Sequence, residues 1–253
     1  MPAATLARLV LLEARRGGLP WLALGCIAVG AALAAFLSQV AVTESLSLQA
    51  ALVAALLRAC AAFLVAALVT AATLRELDDK GLELMLSLPL SRTTHYLGRL
   101  AGFVACGGLL AALFSLPLLI WAAPGAVALW GVSLAFELAL IAAAALFFAM
   151  TLAQFVPAIA ACAGLYLLAR SIGAIQAIAG GPLADASLAT RIAQYAVDAV
   201  ALLLPRLDAM TRTAWLLYEP PAAGAYAAAL GAAALYTALL TAAGLFDFHR
   251  RNL

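Results

Sequence analysis

The feature that most constrains the fold of this chain is a series of six apolar segments, each long enough to cross a lipid bilayer. A membrane-spanning helix needs about 20 mostly apolar residues, and the alternation of period two that marks a membrane β-barrel is missing. Hydrophobic residues make up 67% of the 253 positions and charged residues 10%, so polar side chains are too few to cover a water-facing surface. This composition excludes a soluble enzyme, a disordered chain and a nucleic-acid-binding domain. The segments are approximately 19–42, 49–74, 97–122, 126–152, 154–176 and 222–245.

The distribution of basic residues predicts how these six helices are oriented. Lys and Arg concentrate in the loops on the cytoplasmic side of a membrane. The long segment 177–221 holds only Arg191, Arg206 and Arg212, whereas nine basic residues lie at the other set of helix ends. Both termini and the loop 75–96 are therefore expected in the cytoplasm. The alanine-rich composition suggests a GC-rich bacterial genome, so the expected location is a bacterial inner membrane. The nine are Arg8, Arg15, Arg16, Arg75, Lys80, Arg92, Arg99, Arg250 and Arg251.

Residues 1–16 are predicted to form an amphipathic helix in the cytoplasmic interface of the membrane. Leu6, Leu9 and Val10 share one helical face, and Arg8 and Arg15 lie on the opposite side. A secretory signal peptide is the alternative, but the apolar run after it is too long for one. We find no linker that would separate domains, so residues 1–253 are expected to form one domain.

The outer segment 177–221 is predicted to contain short amphipathic helices before the sixth span. Its apolar residues recur at helical spacing as far as Pro205, which ends the first helix. A second short helix, around 208–218, ends in Trp215 and Tyr218, residues that suit a membrane interface. The apolar residues of the first helix are Ile192, Tyr195, Ala199 and Leu203.

Two charged residues fall deep inside predicted spans. A lone charge there costs roughly 2.5–3.5 kcal/mol or more, so Arg58 and Glu137 are expected to pair or to face a polar cavity. Such a pair would either link helices or belong to a transport path. Arg170 lies closer to the outer end of its span, and its side chain is expected to extend to the interface. Gly98 and Gly102 have the spacing of tight helix contacts, either within the chain or between two copies.

The polar segment 75–92 between the second and third spans carries the most information about function. Leu82, Met85 and Leu86 form an apolar stripe at helical spacing, and Pro89 ends the helix. Such a helix either inserts into a groove of a cytoplasmic protein or lies flat on the membrane. The residues alone leave both interpretations open.

This segment resembles the cytoplasmic loop of ABC type-2 exporter permeases. The resemblance rests on Arg75-Glu76, on the run from Gly81 to Arg92 and on Tyr96-Leu97-Gly98-Arg99, and the order of spans is also similar. The end of the chain, 245–253, is similar to the tails of that family. The branch associated with multicopper-enzyme maturation is nearest, and the haem-exporter subunit is related. Lys80 stands where the family often has an acidic residue, and Asn252 stands where it usually has Asp.

The resemblance implies an all-α integral membrane permease with six transmembrane helices, in which a cytoplasmic coupling helix contacts a separate ABC ATPase subunit. Two permease chains, as a homodimer or with a homologous permease, would surround the path. The chain lacks the G-x-x-x-x-G-K-[ST] phosphate loop, so ATP and magnesium would bind the ATPase, and we expect no catalytic, cofactor or metal site on this chain. The residues implied in ATPase coupling are Glu76, Asp79, Gly81, Leu82, Glu83, Met85, Leu86, Leu88 and Pro89.

Two further functional hypotheses remain. The chain could be a secondary transporter or channel that works without an ATPase and uses Arg58 and Glu137. It could instead be a membrane assembly protein that transports nothing. Only the permease hypothesis requires a cytoplasmic ATPase as partner, and the lipid bilayer is common to all three.

Overall fold

The computed structural model describes residues 2–40, 45–78, 91–179 and 188–250, and all regular elements in these ranges are helical. Six of the helices are long and apolar enough to span a membrane. This confirms the prediction of an all-helical, multi-pass membrane protein. The α-helices are α1 (Pro2–Arg16), α2 (Leu19–Val40), α3 (Ser45–Asp78), α4 (Arg92–Ser115), α5 (Pro124–Leu152), α6 (Phe155–Ala179), α7 (Leu188–Leu203), α8 (Ala214–Leu217) and α9 (Ala223–Arg250).

Helix α5 lies at the centre of the bundle and packs against α3, α4, α6 and α9. Its sequence is apolar on all sides, which is the pattern of a helix surrounded by other helices. Trp130, Leu138 and Ala145 are completely buried in it. Glu137 belongs to the same buried helix, so the other helices must supply its partners.

Helix α1 packs against α4, and the contact resolves two of the predictions. Leu6, Val10 and Ala14 form the buried face of α1, whereas Leu9, predicted on the same apolar face, is 49% exposed. On α4, a Cβ added at Gly102 would come within 2.7 Å of the Val10 Cβ. The small residue at position 102 therefore serves close packing within this chain.

Several spans extend beyond the apolar runs that predicted them, and α3 does so at both ends. Helix α3 begins before position 49 and continues past 74, because polar residues near both ends find partners. The Trp121 indole N–H donates to Gln49 Oε1 over 3.1 Å, and Glu76 is bound at the other end. After Ser115, α4 continues as a 3-10 helix, Leu116–Ile120.

Helix α7 lies in the segment for which a helix ending at Pro205 was predicted. Its apolar residues Ile192 and Tyr195 are 66% and 75% exposed. Its polar side faces α6, since Gln176 donates to Asp198 Oδ1 over 2.9 Å. A helix with its polar side toward the protein and its apolar side exposed suits a position at the lipid surface.

Residues 204–211, which we call the inward segment, fold back from the end of α7 into the bundle. Leu207, Met210 and Thr211 are at most 2% exposed, and a short 3-10 helix, Leu207–Ala209, is the regular part of the segment. The sequence predicted a surface position for this region. Trp215 differs from its prediction as well, because it is buried and packs edge-on against Tyr226 at a centroid distance of 5.6 Å.

Candidate functional site

Two arginines from neighbouring spans hold the backbone of the inward segment. Arg170 Nη1 donates to the carbonyls of Leu207 (2.6 Å) and Met210 (2.8 Å), and its Nη2 donates to that of Thr211 (3.3 Å). Arg58 Nη1 donates to the same Thr211 carbonyl over 3.0 Å. Non-helical backbone at membrane depth is tolerated where its polar groups find partners within the protein. The guanidinium groups of α3 and α6 supply those partners here.

Thr211 joins this loop to α5. Its hydroxyl donates to Glu137 Oε2 over 2.5 Å, and its backbone N–H donates to Ser133 Oγ over 3.0 Å. Its φ of +48° is in the left-handed region, which is uncommon for a β-branched residue. Contacts from α3, α5 and α6 therefore converge on one threonine and hold it in that conformation.

The predicted contact between Arg58 and Glu137 is replaced by contacts to a shared third residue. Both side chains bind Thr211, and the cation that lies within 4 Å of Glu137 in the described part of the chain is Arg170, at 3.8 Å. Arg170, expected to extend to the interface, turns inward instead, and its side chain is 20% exposed. There it donates charge-assisted hydrogen bonds to the carbonyls of the inward segment.

The site lies well inside the bundle. Glu137 is about 20 Å along the axis from the first residue of α5, Pro124. A second contact brings the loop close to α6, where a Cβ on Gly173 would collide with the Asp208 carboxylate. The arrangement fixes three spans to one loop, and the loop could leave only if the charged contacts separated.

A second buried polar group lies at the end of α3 and the start of α4. Glu76, near the end of α3, has an 11% exposed side chain and lies 3.0 Å from Arg99 Nη1 on α4. The His95 Nε2 is 3.4 Å from the Glu76 carboxylate. Ser91 caps α4, because its hydroxyl accepts the Thr94 N–H over 3.2 Å. The contacts of Glu76 with Arg99 and His95, which we call the Glu76 clamp, tie the end of α3 to the start of α4.

The end of α9 packs against the same region, which the sequence did not predict. The ring of Phe248 lies 6.3 Å from that of Tyr96 and 6.4 Å from that of His95. Arg92 donates to the Phe248 carbonyl over 3.4 Å. Tyr96 and Phe248 both lie beside charged residues at the ends of their spans, and this shared position is the sequence signal that could have indicated the contact.

Of the residues implied in ATPase coupling, Glu76 lies in the described part of the chain. Its carboxylate faces α4 inside the bundle, where it joins the end of α3 to Arg99. No family model and no curated protein matches the sequence. The other coupling residues, Asp79, Gly81, Leu82, Glu83, Met85, Leu86, Leu88 and Pro89, lie outside the described residues.

Proposed function

We propose that this chain is the membrane-spanning permease subunit of an ATP-driven exporter of the ABC type-2 class. It would act in a bacterial inner membrane with both termini in the cytoplasm. A separate ATPase would bind the segment 79–90, and a second copy or a homologous permease would complete the transport path.

The sequence of the segment is the first support for the proposal. Gly81 to Arg92 resembles the coupling loop of these permeases, and this run connects the second of the six candidate spans to the third. The apolar stripe of Leu82, Met85 and Leu86 suits a helix that inserts into a groove of a partner.

The Glu76 clamp is the observation that carries the proposal. A force on the segment can reach the membrane only if the flanking helices move with it. Glu76 and Arg99 are nearly buried and 3.0 Å apart, so a displacement of the segment would move the ends of α3 and α4 together.

Helix α3 offers a route from this clamp to the inward segment. Arg58 lies on α3 about 27 Å from Glu76 and binds the Thr211 carbonyl. ATP can shift the permease only through contacts that differ between its two states. We propose that such contacts form at segment 79–90 and that α3 carries the movement to residues 204–211.

The same geometry disfavours the secondary-transporter hypothesis. An ion relay through Arg58 and Glu137 would need side chains free to exchange partners. Both are engaged with Thr211, and these contacts support a structural or gating role.

Co-purification from native membranes tests the proposal. The tagged chain is compared with a Glu83→Arg, Leu86→Glu double variant and with a matched control, Tyr218→Glu with Glu219→Arg, which changes exposed residues at the other end of the bundle. We expect a protein that hydrolyses ATP to co-elute with the native chain and the control and to be lost with the segment variant. An eluate without ATPase activity, or equal retention by both variants, would overturn the proposal.

A further inference from the structure

A groove of about 650 Å³ lies between α1, α4 and the start of α2. Apolar side chains form most of its wall, including Leu12, Ala23, Leu109 and Leu113. Volumes of 300–1,000 Å³ are typical of small-molecule sites. Along α4 the groove extends from Cys106 to Leu113, a distance of about 10 Å.

The charged side chains that line this groove are both cationic. Arg8 and Arg15 belong to the lining and are separated along α1 by about 10 Å. Glu13, on the same helix, turns to another neighbour, with its carboxylate 3.7 Å from Arg75 Nη1 on α3. The acidic residue of α1 is thus paired with Arg75 and does not line the groove.

We propose that this groove binds an anionic phospholipid of the surrounding membrane. The phosphate would lie between Arg8 and Arg15, and one acyl chain would run along α4 past Leu109. The combination of two cations with an apolar wall complements a negatively charged headgroup on a hydrocarbon chain, and basic residues near a membrane surface attract anionic lipids. The site belongs to this chain alone and does not depend on the exporter function.

Native mass spectrometry of the full-length purified protein tests the site. The protein is titrated with phosphatidylglycerol and, separately, with phosphatidylethanolamine of the same acyl chains. We expect phosphatidylglycerol to be retained more strongly, and Arg8→Gln and Arg15→Gln each to weaken that retention about fivefold. Arg16→Gln is the matched control, because Arg16 is exposed on α1 but does not line the groove.

A second pair of variants tests the apolar wall without any change of charge. Leu109→Trp places a larger side chain in the groove, and Leu119→Trp makes the same change at an exposed position outside it. We expect only Leu109→Trp to reduce lipid retention. Equal retention of the two lipids, equal loss with Arg16→Gln, or equal effects of the two Trp variants would overturn the proposal. A change in oligomeric state without lipid binding would make the groove a subunit interface instead.

Discussion

A carboxylate stays ionised inside an apolar bundle only where cations and hydrogen-bond donors compensate for its lost hydration. Glu76 has the guanidinium of Arg99 at 3.0 Å. Glu137 has a weaker direct ion pair, to Arg170 at 3.8 Å, but it also accepts the Thr211 hydroxyl. The two acids therefore support different structures: Glu76 joins two helices, and Glu137 joins a helix to a loop.

Removal of Glu76 tests the strength of the clamp. Glu76→Ala leaves the Arg99 guanidinium buried and without its carboxylate, so we expect a loss of about 3 kcal/mol in the free energy of unfolding in detergent. The matched control is Glu13→Ala. The side chains of Glu13 and Arg75 are 35% and 66% exposed. Such exposed pairs contribute less than about 1 kcal/mol to the free energy of unfolding. Equal losses in the two variants would show that the clamp contributes no more than a surface pair.

The two arginines of the inward segment should differ in their effects. Arg170→Leu removes three carbonyl contacts and the ion pair with Glu137, whereas Arg58→Leu removes one carbonyl contact. We expect about 3–5 kcal/mol of destabilisation from the first change and about 1.5–3 kcal/mol from the second.

Hydrogen exchange of residues 204–211 separates this loss from general destabilisation. The segment should exchange faster in Arg170→Leu than in Arg206→Leu, a control whose ion pair to Asp208 involves a 60% exposed arginine side chain. Unchanged exchange in Arg170→Leu would contradict the role assigned to its carbonyl contacts.

At the scale of elements, the sequence predicted the features that depend on apolar length and missed those that depend on tertiary partners. The six spans were predicted because a bilayer requires apolar runs of a fixed length. The inward segment was not, because Leu207 and Met210 are near charged residues in the sequence and become buried only when Arg58 and Arg170 bind the backbone of this loop. The sequence did contain one indication of this loop. Inside the spans, the two arginines Arg58 and Arg170 outnumber the one acid, Glu137, so one guanidinium needs a backbone partner.

The contact between α1 and α4 gives a prediction about packing. Gly102→Ala would place a methyl group within 2.7 Å of the Val10 Cβ and 3.0 Å of Ala7 backbone atoms, so α1 must move. Overpacking of this kind typically costs about 1–3 kcal/mol. Gly108→Ala on the same helix has open space and should be neutral or slightly stabilising, by up to about 1 kcal/mol, because alanine favours helix. Thermal unfolding of both variants measures the difference, and equal melting temperatures would refute the close contact.

At the scale of the whole molecule, polar and charged contacts join the helix ends that carry the basic residues, and these ends lie together at one end of the bundle. Glu13 lies beside Arg75, Arg92 binds the Phe248 carbonyl, and Thr151 donates to Asp247. This end contains α1, the helix ends that flank segment 79–90, and the end of α9. The predicted grouping of the charged loops comes from the sequence alone, whereas the contacts that join them required the structure.

The orientation of that end in the membrane is the last prediction. Basic loops stay on the cytoplasmic side because their translocation is unfavourable, so the turn between α5 and α6 should face the cytoplasm and α8 the outside. We would label single cysteines, Gln154→Cys and Tyr218→Cys, in intact cells with a maleimide that cannot cross membranes. Both positions are exposed, so accessibility alone does not separate them. Tyr218→Cys should react in intact cells, and Gln154→Cys only after the cells are opened. The reverse pattern would place the helix ends that flank segment 79–90 outside the cell, where a cytoplasmic ATPase could not reach them. The native cysteines replaced by alanine in this background are Cys26, Cys60, Cys106 and Cys162.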